Sequence, residues 1–241
     1  QLRNPEFTTQ MAEDEAAYNL VTGKIRNNLV QIKFNNTHSI NGLFIRGRVM
    51  LVNRHLLTCM RHSGDSSCSI IGKGINVKIP KLLDLVKYEN QEKDIAIIQL
   101  EKGGVSEFSD IIHHFYNDTE INRNIGSIHS GSLPCYNGNP GTDRIDLWHK
   151  TCLDIYSHGP MNVNHNSLGE KFTIIKGWMY HSQTIPGDCG GPLVAHCNNL
   201  TAKILGIHAA GSRGRGFATA ITREFLEKHL PRDTFQILAP D

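Results

Sequence analysis

GLFIRGRVMLVNRHLLT (residues 42–58) holds two or three short apolar runs, broken by glycine and rich in Leu, Ile, Val and Phe. Runs of about four to eight such residues, bounded by turn formers, are a strand pattern. The texture extends in both directions. NLVQIKF (28–34) alternates apolar and polar residues. INVKIP (75–80), DIAIIQL (94–100), KFTIIKGWMYH (171–181), GPLVAH (191–196) and AKILGIHA (202–209) repeat the type between Gly, Asn and Ser turns. Strands at this density predict an all-β barrel or sandwich. Two segments differ. QMAEDEAAYNLVTGKIR (10–26) places acids early and bases late, as a helix dipole favours. AITREFLEKHL (220–230) spaces its apolar residues at helical intervals. Helices are therefore expected at the two ends of an all-β chain.

The chain has 241 residues, 39% hydrophobic and 20% charged, the balance of a soluble globular protein. Lys plus Arg is 25 and Asp plus Glu is 23, a formal charge of +2. That is too small to argue for a nucleic-acid partner, although Lys24–Arg26 and Arg213–Arg215 are local basic clusters. No apolar run approaches the ~20 residues of a membrane span, and no secretory signal pattern opens the sequence. The six cysteines, Cys59, Cys68, Cys135, Cys152, Cys189 and Cys197, show no regular spacing. A chain this long can stabilise its core without disulfides, so they read as free thiols of a reducing, cytosolic compartment. Cys59, His62 and Cys68 form C-x2-H-x5-C, but a structural zinc site needs about four ligands; no metal or cofactor is expected. His113, His114 and His129 read as surface. Gln1 in place of an initiator Met suggests processing or a fragment boundary, and Pro5-Glu6-Phe7 reads as appended cloning sequence.

TIPGDCGGPLVAH (184–196) carries the chemistry. Gly187, Gly190 and Gly191 surround Cys189 and permit backbone with positive φ. Such a turn can aim successive amides at one point, an oxyanion hole built from Gly187, Asp188 and Cys189. The apolar strand that follows would hold the turn rigid. By itself the motif also fits a buried cysteine in a glycine-rich hairpin. Among thirteen histidines, His55 stands at the end of the run RVMLV, where rigid scaffold could present a general base.

Gly-Asp-Cys-Gly-Gly resembles the nucleophile motif of the picornavirus-type 3C-like cysteine proteases, viral relatives of chymotrypsin in which Cys replaces Ser. GIHAAG (206–211) looks like that family's Gly-x-His-x-x-Gly element, and GFATAITREFLEKH (216–229) like its last strand and helix. FIRGRVMLVNRHLL (44–57) and DIAIIQL (94–100) resemble the strands that deliver its histidine and acid. The blocks follow the family's order over most of residues 10–230; residues 115–165 are not matched block by block.

The resemblance implies a chymotrypsin-like double antiparallel β-barrel with N- and C-terminal helices. The expected division is an N-terminal extension and helix (1–27), a barrel carrying His55 and Asp94 (28–120), and a barrel and helix carrying Cys189 and His208 (121–241). The Gly/Asn/Pro-rich stretch 130–144 would fall among the second barrel's loops. His55 would be the base and Asp94 the acid, with Glu92, Glu89 and Asp84 as alternatives. Thr184 and His208 would line a pocket for glutamine, and its discrimination against Glu would weaken as pH falls toward an ordinary imidazole pKa of about 6.5. The implied partner is a viral polyprotein, cut in the host cytoplasm, of a picorna-like positive-strand virus, insect viruses included. The family's basic Lys-Phe-Arg-Asp-Ile motif is here Glu107-Phe108-Ser109-Asp110-Ile111. Its phosphate contacts are lost, which leaves Lys24 and Arg26 as candidate contacts for viral RNA. An RNA-binding module with secondary protease activity is the alternative of a different class; a trypsin-type serine protease does not fit Cys189. Oligomeric state is left open.

Overall fold

The computed structural model describes residues 14–35, 38–103, 105–122, 128–137, 146–165 and 168–231. Residues 1–9, the start of the 10–26 helix, and 138–144 of the Gly/Asn/Pro-rich stretch lie outside them. The N-terminal helical segment runs through α1 (Glu15–Asn19), a π-helical turn (Leu20–Ile25) and α2 (Arg26–Asn28). Then come β1 (Leu29–Phe34), β2 (His38–Arg46), β3 (Val49–Asn53), α3 (Arg54–Ser63), β4 (Cys68–Gly72), β5 (Ile75–Ile79), β6 (Val86–Asn90) and β7 (Ile95–Gln99). After α4 (Asp118–Asn122) follow β8 (Ile128–Asn137), β9 (Asp146–His158), β10 (Met161–Asn164), β11 (Lys171–Ile174), β12 (Gly177–His181), β13 (Pro192–His196), β14 (Ile204–Ser212), β15 (Arg215–Ala220) and α5 (Arg223–His229).

Strands β1–β7 form one antiparallel sheet in the order β5-β4-β1-β2-β3-β7-β6. The second unit is a closed barrel, β12-β15-β14-β13-β8-β9, and β10–β11 is a separate two-stranded ribbon. This is the chymotrypsin-like all-β architecture. Side chains alternate across a strand, and in the first sheet both faces are buried. Ile95, Ile97, Val49 and Leu51 face the core shared with the second barrel (Val194, Ile204, Ile207), while Ala96, Ile98, Met50 and Val52 face the sheet's own interior. That is why DIAIIQL is apolar almost throughout.

Two expectations are corrected. The RHLLT end of the opening stretch is not strand but the start of α3, whose Leu56, Leu57 and Met60 are buried. The cause lies across the sheet: Arg54 N donates to Asp94 O at 3.0 Å and His55 N to Asp94 Oδ1 at 2.9 Å, so another segment caps the helix start. KFTIIKGWMYH is two strands, because the chain leaves the ribbon at Ile175, whose amide bonds Glu92 O at 2.9 Å. The N-terminal helices are tied to the second barrel by a buried ion pair, Lys203 Nζ to Asp14 Oδ2 at 2.6 Å. Among the described residues no helix is long and apolar enough to cross a membrane.

Candidate active site

The two units meet along a cleft of about 980 Å³ lined by His55, Cys189, Thr184 and His208, among others. His55 enters it from the first turn of α3. Its Nδ1 lies 2.7 Å from Asp94 Oδ2, and its backbone amide takes the other carboxylate oxygen. Asp94 is 2% exposed and has φ 50°, a left-handed conformation that Asp tolerates better than most residues. It also accepts from Asn53 Nδ2 at 3.3 Å. Of the four acids considered, Asp94 is the one on the histidine: Glu89 pairs with Arg54 and Arg61, and Glu92 and Asp84 are exposed. Burial alone would lower the His55 pKa. The charge and hydrogen bond of Asp94, joined by Cys189 close by, outweigh it and hold the imidazole well above its ordinary value.

Cys189 sits in the turn that precedes β13, partly buried, with Sγ 3.4 Å from Ala209 O. The turn depends on two glycines with positive φ, Gly187 (102°) and Gly190 (85°). A Cβ at Gly190 would also overlap the Asn41 carbonyl. The peptide planes are locked one by one. Asn41, fully buried on β2, donates its backbone N–H to Cys189 O at 2.7 Å and Nδ2 to Gly187 O at 2.9 Å. Gly191 N donates to Asp188 O at 3.1 Å, which turns the Cys189 amide the opposite way. One expected oxyanion donor is corrected here. The Asp188 amide is engaged with Ile185 O at 3.1 Å, inside the turn. Among the described residues, the Gly187 and Cys189 amides have no such partner.

Asp188 acts through its side chain instead. The carboxylate is fully buried; it accepts from Lys150 Nζ at 2.5 Å, from Ile185 N at 2.7 Å and from Cys135 Sγ at 3.3 Å. Lys150, on β9, also donates to Gln183 O at 3.2 Å. The segment that forms the turn is thus gathered around one ion pair. Neither Lys150 nor Asn41 carries a sequence signal, since each works through contacts far along the chain.

Thr184 and His208 line the same cleft, and Gly211 on β14 makes room for the Thr184 hydroxyl, which a Cβ there would overlap. His208 is 2% exposed, and its Nδ1 lies 2.6 Å from the Tyr180 hydroxyl. Burial pushes its pKa down to about 4. In the tautomer in which the phenol donates to Nδ1, Nε2–H is the imidazole's other hydrogen-bonding group. The only sequence signal at Tyr180 is its place in the apolar run GWMYH; Gly216 makes room for its ring.

The ribbon β10–β11 lies over α3. Cys59 Sγ is 3.2 Å from His165 Nε2, and His62 Nε2 is 3.3 Å from Glu170 Oε1. The C-x2-H-x5-C residues therefore diverge: Cys59 and His62 face the ribbon, and Cys68 is buried in β4. Among the described residues no group of three or more His, Cys, Asp or Glu is arranged to hold a metal. On the stretch compared with an RNA motif, Glu107 pairs with Arg48 at 3.0 Å and Asp110 with Arg46 at 2.6 Å, so acids neutralise two arginines there. His114 departs from the surface reading: it is half-buried and its pKa falls to about 4 through burial.

The chymotrypsin-like fold here brings a cysteine, a histidine and a buried carboxylate to one cleft, the arrangement found in cysteine peptidases of this fold. Residues 152–234 match the model of the Tungro spherical virus-type peptidase family. The chain is 27% identical over 234 residues to the replicase polyprotein of acute bee paralysis virus, covering 92% of this chain and 12% of that polyprotein. It is 27% identical over 187 residues to the genome polyprotein of encephalomyocarditis virus, covering 76% of this chain and 7% of the polyprotein. Tobacco etch virus protease in complex with product has the same fold (TM-score 0.60, 16% identity, 97% of this chain and 84% of that one). So does the HRV-C 3C protein with rupintrivir (TM-score 0.52, 19% identity, 86% and 98%). Over these spans the chain is similar to the polyproteins of picorna-like viruses, and in fold to their 3C-type cysteine proteases.

Proposed function

We propose that this chain processes a viral polyprotein in the host cytoplasm, cutting after Gln and before a small residue through Cys189, His55 and Asp94. The observation that carries the reading is the His55–Asp94 pair, 2.7 Å apart, in the same cleft as Cys189, with the Gly187 and Cys189 amides unpaired among the described residues. His55 takes the Cys189 proton, and the raised imidazole pKa favours the thiolate–imidazolium form. Sγ bonds to the scissile carbonyl carbon, and the Gly187 and Cys189 amides receive the oxyanion. As the C–N bond breaks, His55 returns its proton to the leaving amine. Water, deprotonated by His55, then hydrolyses the thioester. Asp94 holds the ring and its Nδ1–H in place.

Glutamine is favoured because His208 stays neutral: its N–H suits an amide oxygen, whereas a carboxylate would enter desolvated without a counter-charge. With a pKa of about 4, the expected loss of discrimination moves below the pH 6–8 range. The test is a peptide series with Gln, Glu or Ala before a Gly, with products identified by mass spectrometry. Cleavage after Gln, absent in Cys189→Ala, is expected. Uncut Gln peptides, or a folded Cys189→Ala variant that still cleaves, would overturn the reading.

A further inference from the structure

Beyond Thr184 and His208 the cleft continues along β14 to the β14–β15 hairpin, where Arg213 and Arg215 join its lining. Strand β14 pairs with β13 from Ile204 to Ile207, and His208 bonds Gly190 and Gly191 on the same edge, while Ala210, Gly211 and Ser212 pair with β15 alone. Among the described residues, the other backbone edge of Ala209–Ser212 has no strand partner, so it offers a ladder to an extended peptide. If P1, the residue before the cut, lies opposite Ala209 beside Cys189, then P3 falls opposite Gly211 and P5 opposite Arg213.

The hairpin turn is Ser212-Arg213-Gly214-Arg215, with φ 50° at Arg213 and 78° at Gly214 and Ser212 paired to Arg215. Turns of this class favour Asn or Gly at the first central position; an arginine is held there instead. Both arginines are exposed, and among the described residues neither has an ion-pair partner. Asp154, across the neighbouring strand, is turned to His181 at 3.4 Å.

We infer that Arg213 and Arg215 form an acid-reading subsite, selecting Asp or Glu four to six residues upstream of the cut. This rests on the peptidase reading. The two side chains add positive charge at the end of a strand-like binding track, where an acidic side chain of an added peptide would reach them and a basic one would be repelled.

The test is a set of peptides sharing Gln-Gly at the cut, with Glu, Ala or Lys at each position from P3 to P6. They are cleaved by wild type, Arg213→Glu and Arg215→Glu at low and at raised salt. Wild type should favour Glu over Lys about threefold to tenfold at one or more of P4–P6, less at high salt. The charge-reversed variants should favour Lys there. Cleavage of all peptides at equal rates would remove the subsite and leave the peptidase reading intact; cleavage of none would remove both. Charge preference that persists in the variants, or loss of retention on single-stranded RNA without any change in the peptide ratios, would also overturn the assignment.

Discussion

The cleft holds two histidines from the two halves of the molecule, His55 partly buried and His208 fully so, and they are tuned in opposite directions. His55, from the first sheet, is raised because a carboxylate 2.7 Å away outweighs burial. His208, from the second barrel, is lowered to about 4 because its near neighbour at 2.6 Å is a neutral phenol, and burial wins. The same side chain is thus suited to carrying a proton in one place and to staying neutral in the other. The difference extends to how each half is held. The first presents its residues from strand ends, with Asp94 capping a helix. The second presents a turn, gathered by glycines, Asn41 and the Lys150–Asp188 pair.

The largest effect should come from removing the group on which both halves converge. Cys189→Ala should reduce peptide cleavage to background with circular dichroism unchanged. In wild type, iodoacetamide followed by peptide mapping should label Cys189 first. Cys59 should come next, since it lines the same cleft; Cys68 and Cys152, whose pKa values burial pushes up to about 12, should label slowly. Labelling led by Cys68 would break the assignment.

His55→Ala should lower kcat/KM by at least the ~10²–10⁴ of general base catalysis. Asp94→Asn should cost less than the ~10⁴ this change costs a serine triad, because a thiolate–imidazolium pair depends less on the acid. An Asp94→Asn variant as inactive as His55→Ala would show that the acid does more than orient the ring.

On the other half, Lys150→Met leaves a buried carboxylate without its partner, and losing one member of a buried pair costs about 3–5 kcal/mol of stability. Catalysis should fall about 10–100-fold in kcat, with KM little changed and partial recovery in Lys150→Arg. A readout that stability alone would not move is binding of a peptide aldehyde, whose hemithioacetal needs the Gly187 and Cys189 amides. It should weaken while binding of the cleaved product holds. Equal weakening of both would reduce Lys150 to a purely structural role.

The smallest effect is a flat line. Because His208 titrates near 4, the Gln:Glu ratio in kcat/KM should stay constant from pH 6 to 8 and collapse in His208→Ala. Stability should show the same contrast. The unfolded chain protonates His208 near 6.5 and the native state only near 4, so its contribution is whole above 6.5 and is lost as pH falls between these values. It amounts to about 3 kcal/mol. His55 works in the opposite sense: its contribution is whole below about 6.5 and is lost as pH rises through the raised native value. Thermal melts against pH should lose the acid-side slope in His208→Phe and the alkaline-side slope in His55→Ala.

The contrast also explains what can be read in the sequence. Strands β3 and β7 are legible because burial on both faces makes them continuous apolar runs, and the residues that terminate them, His55 and Asp94, are legible with them. The nucleophile turn is legible because its backbone requires glycine. Strand β9 gives no such signal: along Asp146–His158 only Cys152 and Ile155 are buried, so its pattern is irregular. Lys150 rides on that strand, and Asn41, Tyr180 and Lys150 all act through hydrogen bonds to residues tens of positions away. Polar contacts of that range leave no periodicity. The direction of the Asp188 amide is hidden for a related reason, since it depends on the Ile185 carbonyl and not on its immediate neighbours.

The open edge of Ala209–Ser212 has a consequence for the precursor that is to be cut. A segment can join that edge only if its own backbone groups are unpaired, so a Gln-Gly sequence inside a folded domain would first have to leave its native hydrogen bonds. On the proposed reading, such sites stay silent whatever their sequence, and linkers between finished domains are cut. As upstream domains fold, they would hide some sites and expose others. The timetable of cleavage would then be written in the folding of the products, with the protease needing no memory of the order.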